Sequence, residues 1–189
     1  MRALKERKRI TKKNRSVLVG DTSALISLEV GTLLEDSFQL FDYFIPGRVL
    51  NEIKEISSYE DETAIAAKNI LKLMEEGKIT EVSVKDHEKV KEVMNSKKTI
   101  DMGEAESLIL AQETDVKILI TDDLRSLKAL KELSGEIRIH LSVYVIARMV
   151  LSEIIDKSVA NECLSKISDK RSWENAAIYN KAMEYIKDL

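Results

Sequence analysis

Five acidic residues that are far apart in this 189-residue chain follow apolar segments or stand near the start of helix-like segments. Asp21 comes directly after the apolar segment Ser16–Gly20, and Asp122 and Asp123 come directly after Lys117–Thr121. Both segments have the composition of buried strands. Because the carboxyl ends of parallel strands meet at one edge of a sheet, we expect these carboxylates to face one crevice. The complete set is Asp21, Glu52, Glu104, Asp122 and Asp123.

Carboxylates crowded into one crevice indicate a metal site. Their negative charges repel one another unless a cation neutralises them, and hard divalent cations prefer oxygen ligands. The sequence therefore predicts that Asp21, Glu52, Glu104 and Asp122 or Asp123 hold Mg²⁺ or Mn²⁺ as the catalytic residues, in a site of the kind that most often acts on phosphate groups. Taken singly, each acid also has an ordinary explanation as a helix cap, a solvated helix residue or a first-turn charge.

Other polar residues close to these acids have weaker signals. Asp101 is expected to be a helix cap rather than a further ligand. Arg125 and Lys128 follow the paired aspartates, where they could meet a phosphate or simply be exposed. His87 and His140 have no partners at ligand-like spacing in the sequence, so we expect them to have structural or surface roles.

An alternation of strands and helices would position the acids. Strands are predicted at Ser16–Gly20, Tyr43–Ile45, Ile79–Val84, Lys117–Thr121 and Arg138–Leu141. Helices are predicted at Ser23–Val30, Arg48–Ser57, Asp61–Glu76, Asp86–Asn95, Gly103–Glu113 and Leu124–Leu133. Because strands that alternate with helices are joined by right-handed crossovers, we expect an α/β fold with a mostly parallel five-stranded sheet and helices on both faces.

A helical tail follows the last predicted strand. Helices are predicted at Val143–Ile154, Val159–Ile167 and Trp173–Ile186, and no linker rich in Gly, Pro or Ser precedes them. We therefore predict a basic, frayed arm over residues 1–15, an α/β domain over 16–145 and a helical extension over 146–189 that packs on the same domain. Because the extension has apolar faces, a homodimer stays an open alternative to a monomer.

The basic arm contrasts with the rest of the chain. Residues 1–15 carry eight Lys or Arg against one acid, whereas the net charge of the whole chain is −3. Such a segment could bind nucleic acid, or it could be a solvated terminus with no role.

The composition favours a folded protein of the cytoplasm. Hydrophobic residues make up 44% and charged residues 33% of the chain, which excludes an intrinsically disordered protein. The single cysteine, Cys163, excludes an internal disulfide and fits a reducing compartment. No apolar run approaches the roughly 20 residues that span a bilayer, and the N-terminus lacks the apolar core of a secretory signal, so we expect no association with a membrane.

Four segments resemble the motifs of PIN-domain nucleases, in the same order and at similar spacing over residues 16–145. The first motif is an aspartate at a strand end followed by a hydroxyl residue, and the second is a glutamate on the helix after strand two. In the third, Glu104 takes a place often held by aspartate. The fourth is a threonine with an aspartate one or two residues later. The four segments are Val19–Ile26, Val49–Ile53, Gly103–Ala111 and Leu119–Asp123.

The resemblance implies a three-layer α/β/α fold and a metal-dependent endoribonuclease that acts on single-stranded RNA. The chain is similar to the toxins of toxin–antitoxin pairs but has a longer arm and tail. Both an antitoxin partner and a role in RNA processing therefore stay open. The fourth motif permits either Asp122 or Asp123 as a ligand. We expect one of them to face the crevice and the other to cap the helix that begins at Leu124.

Other enzyme classes fit these residues less well. Haloacid-dehalogenase-type phosphatases need an aspartate two residues after their nucleophile, where this chain has Ser23. Receiver domains place their acid pair after the first strand rather than the fourth. No Ser–His or Cys–His arrangement suggests a protein nucleophile. The remaining alternative is a catalytically weak or inactive PIN-like module that binds RNA or protein.

Overall fold

The fold is taken from a computed structural model that describes residues 15–171 and 177–187. Five strands form one sheet in the order β3-β2-β1-β4-β5. All four strand pairs are parallel, which confirms the predicted parallel five-stranded sheet. The strands are β1 Ser16–Gly20, β2 Phe41–Ile45, β3 Ile79–Glu81, β4 Ile118–Ile120 and β5 Arg138–His140.

The helices lie close to their predicted positions, with one addition. The short helix α2 was not predicted, because four residues are too few to show a helical period. Strand β3 ends three residues earlier than predicted, because its partner β2 ends at Ile45 and Pro46 then leads into α3. The Ile45 carbonyl oxygen accepts the last hydrogen bond between the two strands, from the Val82 N–H at 2.9 Å. The helices are α1 Thr22–Val30, α2 Leu34–Ser37, α3 Gly47–Ile56, α4 Glu62–Glu75, α5 His87–Ser96, α6 Met102–Glu113, α7 Leu124–Leu133, α8 Val143–Leu151, α9 Lys157–Arg171 and α10 Ala177–Lys187.

Helices cover both faces of the sheet. Side chains alternate between the faces along a strand, and in β1 the fully buried Leu18 and Val19 enter different cores. Leu18 packs in a core with residues of α1, α3, α4, α8, α9 and α10. Val19 packs in a core with residues of α5, α6 and α7. The predicted three-layer α/β/α arrangement is therefore confirmed.

The strand order reverses at β1. From β1 the chain adds β2 and then β3 on one side, and it later returns to the other side of β1 for β4 and β5. Helix α1, which follows β1, and helix α7, which follows β4, cover opposite faces of the sheet. Loops that diverge in this way open a crevice at the carboxyl ends of the two strands.

Helices α9 and α10 pack on the α1 side of the sheet. A Cβ atom on Gly31, which ends α1, would lie 2.8 Å from Cδ1 of Ile167, so glycine at this position lets α9 approach closely. Helix α9 continues four residues beyond its predicted end, and an ion pair between Lys170 and Glu62 of α4 holds its last turn. The buried residues of α9 include Ala160, Leu164 and Ile167.

The predicted basic arm lies outside the described residues, apart from Arg15, and so do residues 172–176 at the predicted start of the last helix. Arg15 forms an ion pair with Asp42 of β2, with 2.8 Å between the two side chains. Within the two described ranges, the structure has no helix with the length and apolar character needed to cross a membrane. The division of the chain at residues 15 and 145 stays a prediction.

Candidate active site

A pocket of about 190 Å³ lies in the crevice between β1 and β4. Its walls come from the turn after β1, from α3, from the starts of α6 and α7 and from the end of α9. Four of the five predicted site residues line it, although they belong to segments far apart in sequence, and a further acid joins them. The acids that line the pocket are Asp21, Glu52, Asp101, Glu104 and Asp123.

Asp21 is fixed at the centre of this acidic pocket. Its side chain caps α1, and its Oδ2 accepts hydrogen bonds from the hydroxyls of Ser23 at 2.7 Å and Thr121 at 3.1 Å. Burial raises the pKa of Asp21 to about 6, and the negative charges of Asp101 and Glu52 add to this effect, while the Ser23 hydrogen bond opposes it. Burial therefore disfavours the ionised form of Asp21, and the acids that share the pocket disfavour it further.

Glu104 and Asp101 form a capping box at the start of α6. Asp101 accepts from the Glu104 N–H at 2.9 Å, and Glu104 accepts from the Asp101 N–H at 3.0 Å. Ser126 of α7 donates to the other oxygen of Glu104. Burial raises the pKa of Glu104 to about 7, with smaller contributions from the charges of Asp101 and Asp21. Asp101 therefore has the predicted cap position and also lines the pocket.

Glu52 reaches the pocket from α3 because there is room for it beside α6. Its oxygens accept hydrogen bonds from the Thr22 hydroxyl at 2.7 Å and from Arg48 Nε at 2.9 Å. A Cβ atom on Gly103 would lie only 3.1 Å from each of these oxygens. Glycine at position 103 is thus what lets the carboxylate lie against the start of α6.

Asp123 lines the pocket and also caps α7. Its Oδ1 accepts a hydrogen bond from the Arg125 N–H at 2.8 Å, and Arg125 Nε lies 3.1 Å from both carboxylate oxygens. These hydrogen bonds from Arg125 lower the pKa of Asp123. Arg125, for which the sequence left open an exposed position or a phosphate contact, is thus paired with Asp123 in the structure, although most of its side chain is exposed.

Asp122 does not line the pocket. Its two oxygens accept hydrogen bonds from the N–H and the hydroxyl of Ser142, each at 2.8 Å, so it ties the β4–α7 turn to the start of α8. Burial raises its pKa. We expected one aspartate of the pair in the crevice and the other as the cap of α7. That expectation was wrong, because Asp123 both lines the crevice and caps α7, whereas Asp122 is held outside the pocket by its hydrogen bonds with Ser142.

Arg171, at the end of α9, also lines the pocket and was missed by the sequence analysis. Burial lowers the pKa of this guanidinium, and the negative charges of Asp122 and Asp21 oppose that shift. The helix was predicted to end at Ile167. A usable signal was present, because the inward-facing residues of α9 recur at intervals of three or four, and the next position of the series is 171. The series is Ala160, Leu164, Ile167 and Arg171.

The pocket has the donors that a hard cation prefers, but they do not yet converge on one point. Within residues 15–171 and 177–187, no three His, Cys, Asp or Glu side chains are close enough together to hold a metal ion. The carboxylates of Asp21, Glu52, Glu104 and Asp123 instead accept hydrogen bonds from hydroxyl or guanidinium groups of the chain itself. The donor set fits Mg²⁺ or Mn²⁺ in its chemistry.

Comparison with protein families agrees with this geometry. A family model described as PIN domain matches residues 17–188, which includes α9 and α10 as well as the four acidic segments. Searches of curated proteins and of solved structures found no match. PIN domains are generally nucleases. A match over nearly the whole chain, together with the parallel sheet and its acidic crevice, shows that this protein belongs to the PIN-domain family.

Proposed function

We propose that this protein is a Mg²⁺- or Mn²⁺-dependent endoribonuclease that hydrolyses phosphodiester bonds in single-stranded RNA. The observation that carries the proposal is the meeting of four carboxylates from four separate elements in one pocket. Ordinary caps and solvated acids have no reason to converge in this way. Membership of a nuclease family makes phosphodiester hydrolysis the natural use of such a site.

In this proposal Asp21, Glu104 and Asp123 would hold the metal, and Glu52 would lie beside it. A bound metal would supply an acidified water as nucleophile and would stabilise charge on the phosphate. The raised pKa values of Asp21 and Glu104 support a cation here, because a positive charge would favour the ionised carboxylates that burial and, to a smaller extent, neighbouring acids disfavour. Asp122, which the sequence analysis included, is left out because its oxygens already bind Ser142.

Positively charged side chains of the protein would pair with the negative charge of the substrate. Arg171 brings its guanidinium into the pocket, where it is suited to donate hydrogen bonds to a phosphate oxygen. Arg48 and Arg125 lie at the rim, each paired with one acid of the pocket. These pairs hold Glu52 and Asp123 in place while no cation is bound. A toxin and an RNA-processing enzyme would use the site in the same way, since both cut the same kind of bond.

Incubating the purified chain with a mixed pool of structured and unstructured RNAs, in Mn²⁺ or in EDTA, tests the proposal. We expect cleavage of single-stranded regions in Mn²⁺ and none in EDTA. Asp21→Asn should abolish cleavage, whereas the matched control Glu88→Gln, whose side chain is 82% exposed on α5, should not. Cleavage that survives either EDTA or Asp21→Asn would contradict the proposed site. RNA binding by the wild type without cleavage would favour the inactive binding module.

A further inference from the structure

A second pocket, which we call the β5 pocket, lies at the β5 edge of the sheet. Its volume is about 370 Å³, within the range of small-ligand pockets. Its walls come from α7, the end of β5, the start of α8 and from α10. The proposed hydrolysis uses none of its residues. Its polar and aromatic lining residues are Lys131, His140, Tyr144, Lys181, Glu184 and Tyr185.

Aromatic rings form part of the β5 pocket. The rings of His140 and Tyr144 are stacked, with 4.2 Å between their centroids and 16° between their planes. Tyr185 is 46% exposed, so much of its ring is free to contact a ligand. Nucleobases stack on exposed aromatic faces, and each such contact contributes about 1–3 kcal/mol regardless of which base it is. The pocket therefore offers what an unstacked base needs.

His140 also lines the β5 pocket and carries a polar ring nitrogen. Its Nε2 is buried, and no residue in the described part of the chain makes a hydrogen bond with it. Burial and the nearby charges of Arg138 and Lys131 lower the pKa of His140, so the ring is neutral at pH 7 and can both donate and accept. The edge of a nucleobase has matching groups. An apolar side chain of a partner protein has none, and it would leave Nε2 unsatisfied.

The charges of the β5 pocket suit a polyanion. Lys131 of α7 and Lys181 of α10 line it, and Glu184 is the one acid among the described residues that do so. The catalytic pocket has the opposite character, since its lining in the same part of the chain includes five acids and one arginine. An RNA strand needs positive charge near the phosphates that flank the cut bond, and the β5 pocket supplies it.

The β5 pocket is linked to the catalytic pocket through a single residue. The Thr121 N–H donates to the His140 carbonyl oxygen at 3.0 Å, and the Thr121 hydroxyl donates to Asp21 Oδ2 at 3.1 Å. The carboxyl end of β4, beside the catalytic pocket, and the end of β5, which lines the β5 pocket, are therefore adjacent. One RNA strand can extend from the catalytic pocket to the β5 pocket.

We propose that the β5 pocket binds one unstacked nucleobase of the single-stranded RNA whose phosphodiester bond lies in the catalytic pocket. This proposal rests on the ribonuclease function proposed above. Tyr185 stacks on the base, His140 contacts its edge, and Lys131 and Lys181 contact the adjacent phosphates. The pocket then holds the strand in place while the bond in the catalytic pocket is cut.

RNA affinity, measured in EDTA so that no cleavage intervenes, tests this proposal. Fluorescence anisotropy with a labelled single-stranded oligonucleotide would compare Tyr185→Ser with Tyr59→Ser, because Tyr59 is similarly exposed, at 48%, but lies after α3 and away from both pockets. We expect Tyr185→Ser to weaken binding about five- to hundredfold and Tyr59→Ser to leave it unchanged. Lys181→Gln should reduce the salt dependence of binding, whereas Lys72→Gln, at a side chain of α4 that is 75% exposed, should not.

An abasic oligonucleotide separates base binding from backbone binding. Wild-type protein should bind it about as weakly as Tyr185→Ser binds the normal strand, and Tyr185→Ser should not distinguish the two strands. The proposal is overturned if the wild type binds both strands with equal affinity. It is also overturned if Tyr185→Ser binds with normal affinity and has an unchanged melting temperature, and a protein partner would then be the better candidate for the pocket. Because no metal is present, these binding results test the β5 pocket independently of catalysis. RNA cleavage in Mn²⁺ tests the ribonuclease function itself.

Discussion

Replacing Asp21 with asparagine should make the metal-free protein more stable at alkaline pH while it removes activity. Burial and neighbouring acids raise the pKa of Asp21 from 3.8 to about 6. Two pKa units correspond to about 3 kcal/mol, by which ionised Asp21 destabilises the fold above pH 6. Asparagine removes the charge but accepts more weakly from the Ser23 and Thr121 hydroxyls, which costs about 1 kcal/mol. A net gain of about 1–2 kcal/mol remains, or about 2–8 °C in melting temperature for a chain of this size.

The sign of the pH dependence follows from the raised pKa. Below pH 3.8 the carboxyl group is protonated in both the folded and the unfolded protein, so ionisation costs nothing. Between pH 3.8 and about 6 the folded state holds the proton more tightly than the unfolded state, so stability falls as pH rises. The advantage of Asp21→Asn should therefore be full at pH 8 and largely gone at pH 4.5, where the remaining penalty of the wild type is about 1 kcal/mol.

Thermal unfolding in EDTA at pH 8 and pH 4.5 measures this effect. Asp61→Asn is the matched control, because Asp61 also caps a helix but its pKa is lowered by the Thr63 hydroxyl and the Ala64 N–H, so its substitution should not stabilise the protein at pH 8. Adding Mn²⁺ should raise the melting temperature of the wild type and not that of Asp21→Asn. If Asp21→Asn lowers the melting temperature at pH 8, or shifts it equally at both pH values, the reasoning from repulsion is refuted.

Three further predictions address the site and the arm. Asp123→Asn should reduce the rate of RNA cleavage at least a hundredfold, or about 3 kcal/mol. Asp122→Asn should keep the rate within about tenfold but lower the melting temperature, because it weakens the two hydrogen bonds from Ser142. The reverse ranking of the two variants in a cleavage assay would contradict the assignment. Gly103→Ala should weaken Mn²⁺ binding, measured by calorimetry, because its Cβ would lie 3.1 Å from the Glu52 oxygens, and an unchanged affinity would show that Glu52 is not needed. Deleting residues 1–14 should weaken RNA binding and flatten its salt dependence without slowing single-turnover cleavage at saturating RNA; unchanged affinity at low salt would show that the arm has no role.

The convergence of the acids could be predicted from the sequence because its signals are local. An apolar run that ends in an acid, such as the one before Asp21, indicates both the strand and the position of the side chain at its end. The alternation of strands and helices then fixes the parallel topology, which brings such ends together. Asp101 with Glu104 also has a local signature, since an acid at each end of a four-residue interval indicates a capping box.

The choice between Asp122 and Asp123 could not be predicted, because it depends on a residue far along the chain. Both aspartates follow the same strand, and their neighbours in sequence permit either to enter the crevice. What separates them is Ser142, which follows the next strand and binds both oxygens of Asp122. Such a contact depends on how β5 and α8 sit beside β4, and no local periodicity reports it.

Arg171 makes the C-terminal helices part of the site rather than an appendage. Arg171 lines the acidic pocket because α9 packs closely on α1, and that approach depends on the absence of a side chain at Gly31, where a Cβ atom would meet Ile167. The helix face that fills the core with Ile167 places Arg171 beside the pocket one turn later. Packing and electrostatics are therefore set by one stripe of residues, and a change that pushed α9 away from α1 would remove positive charge from the acidic pocket.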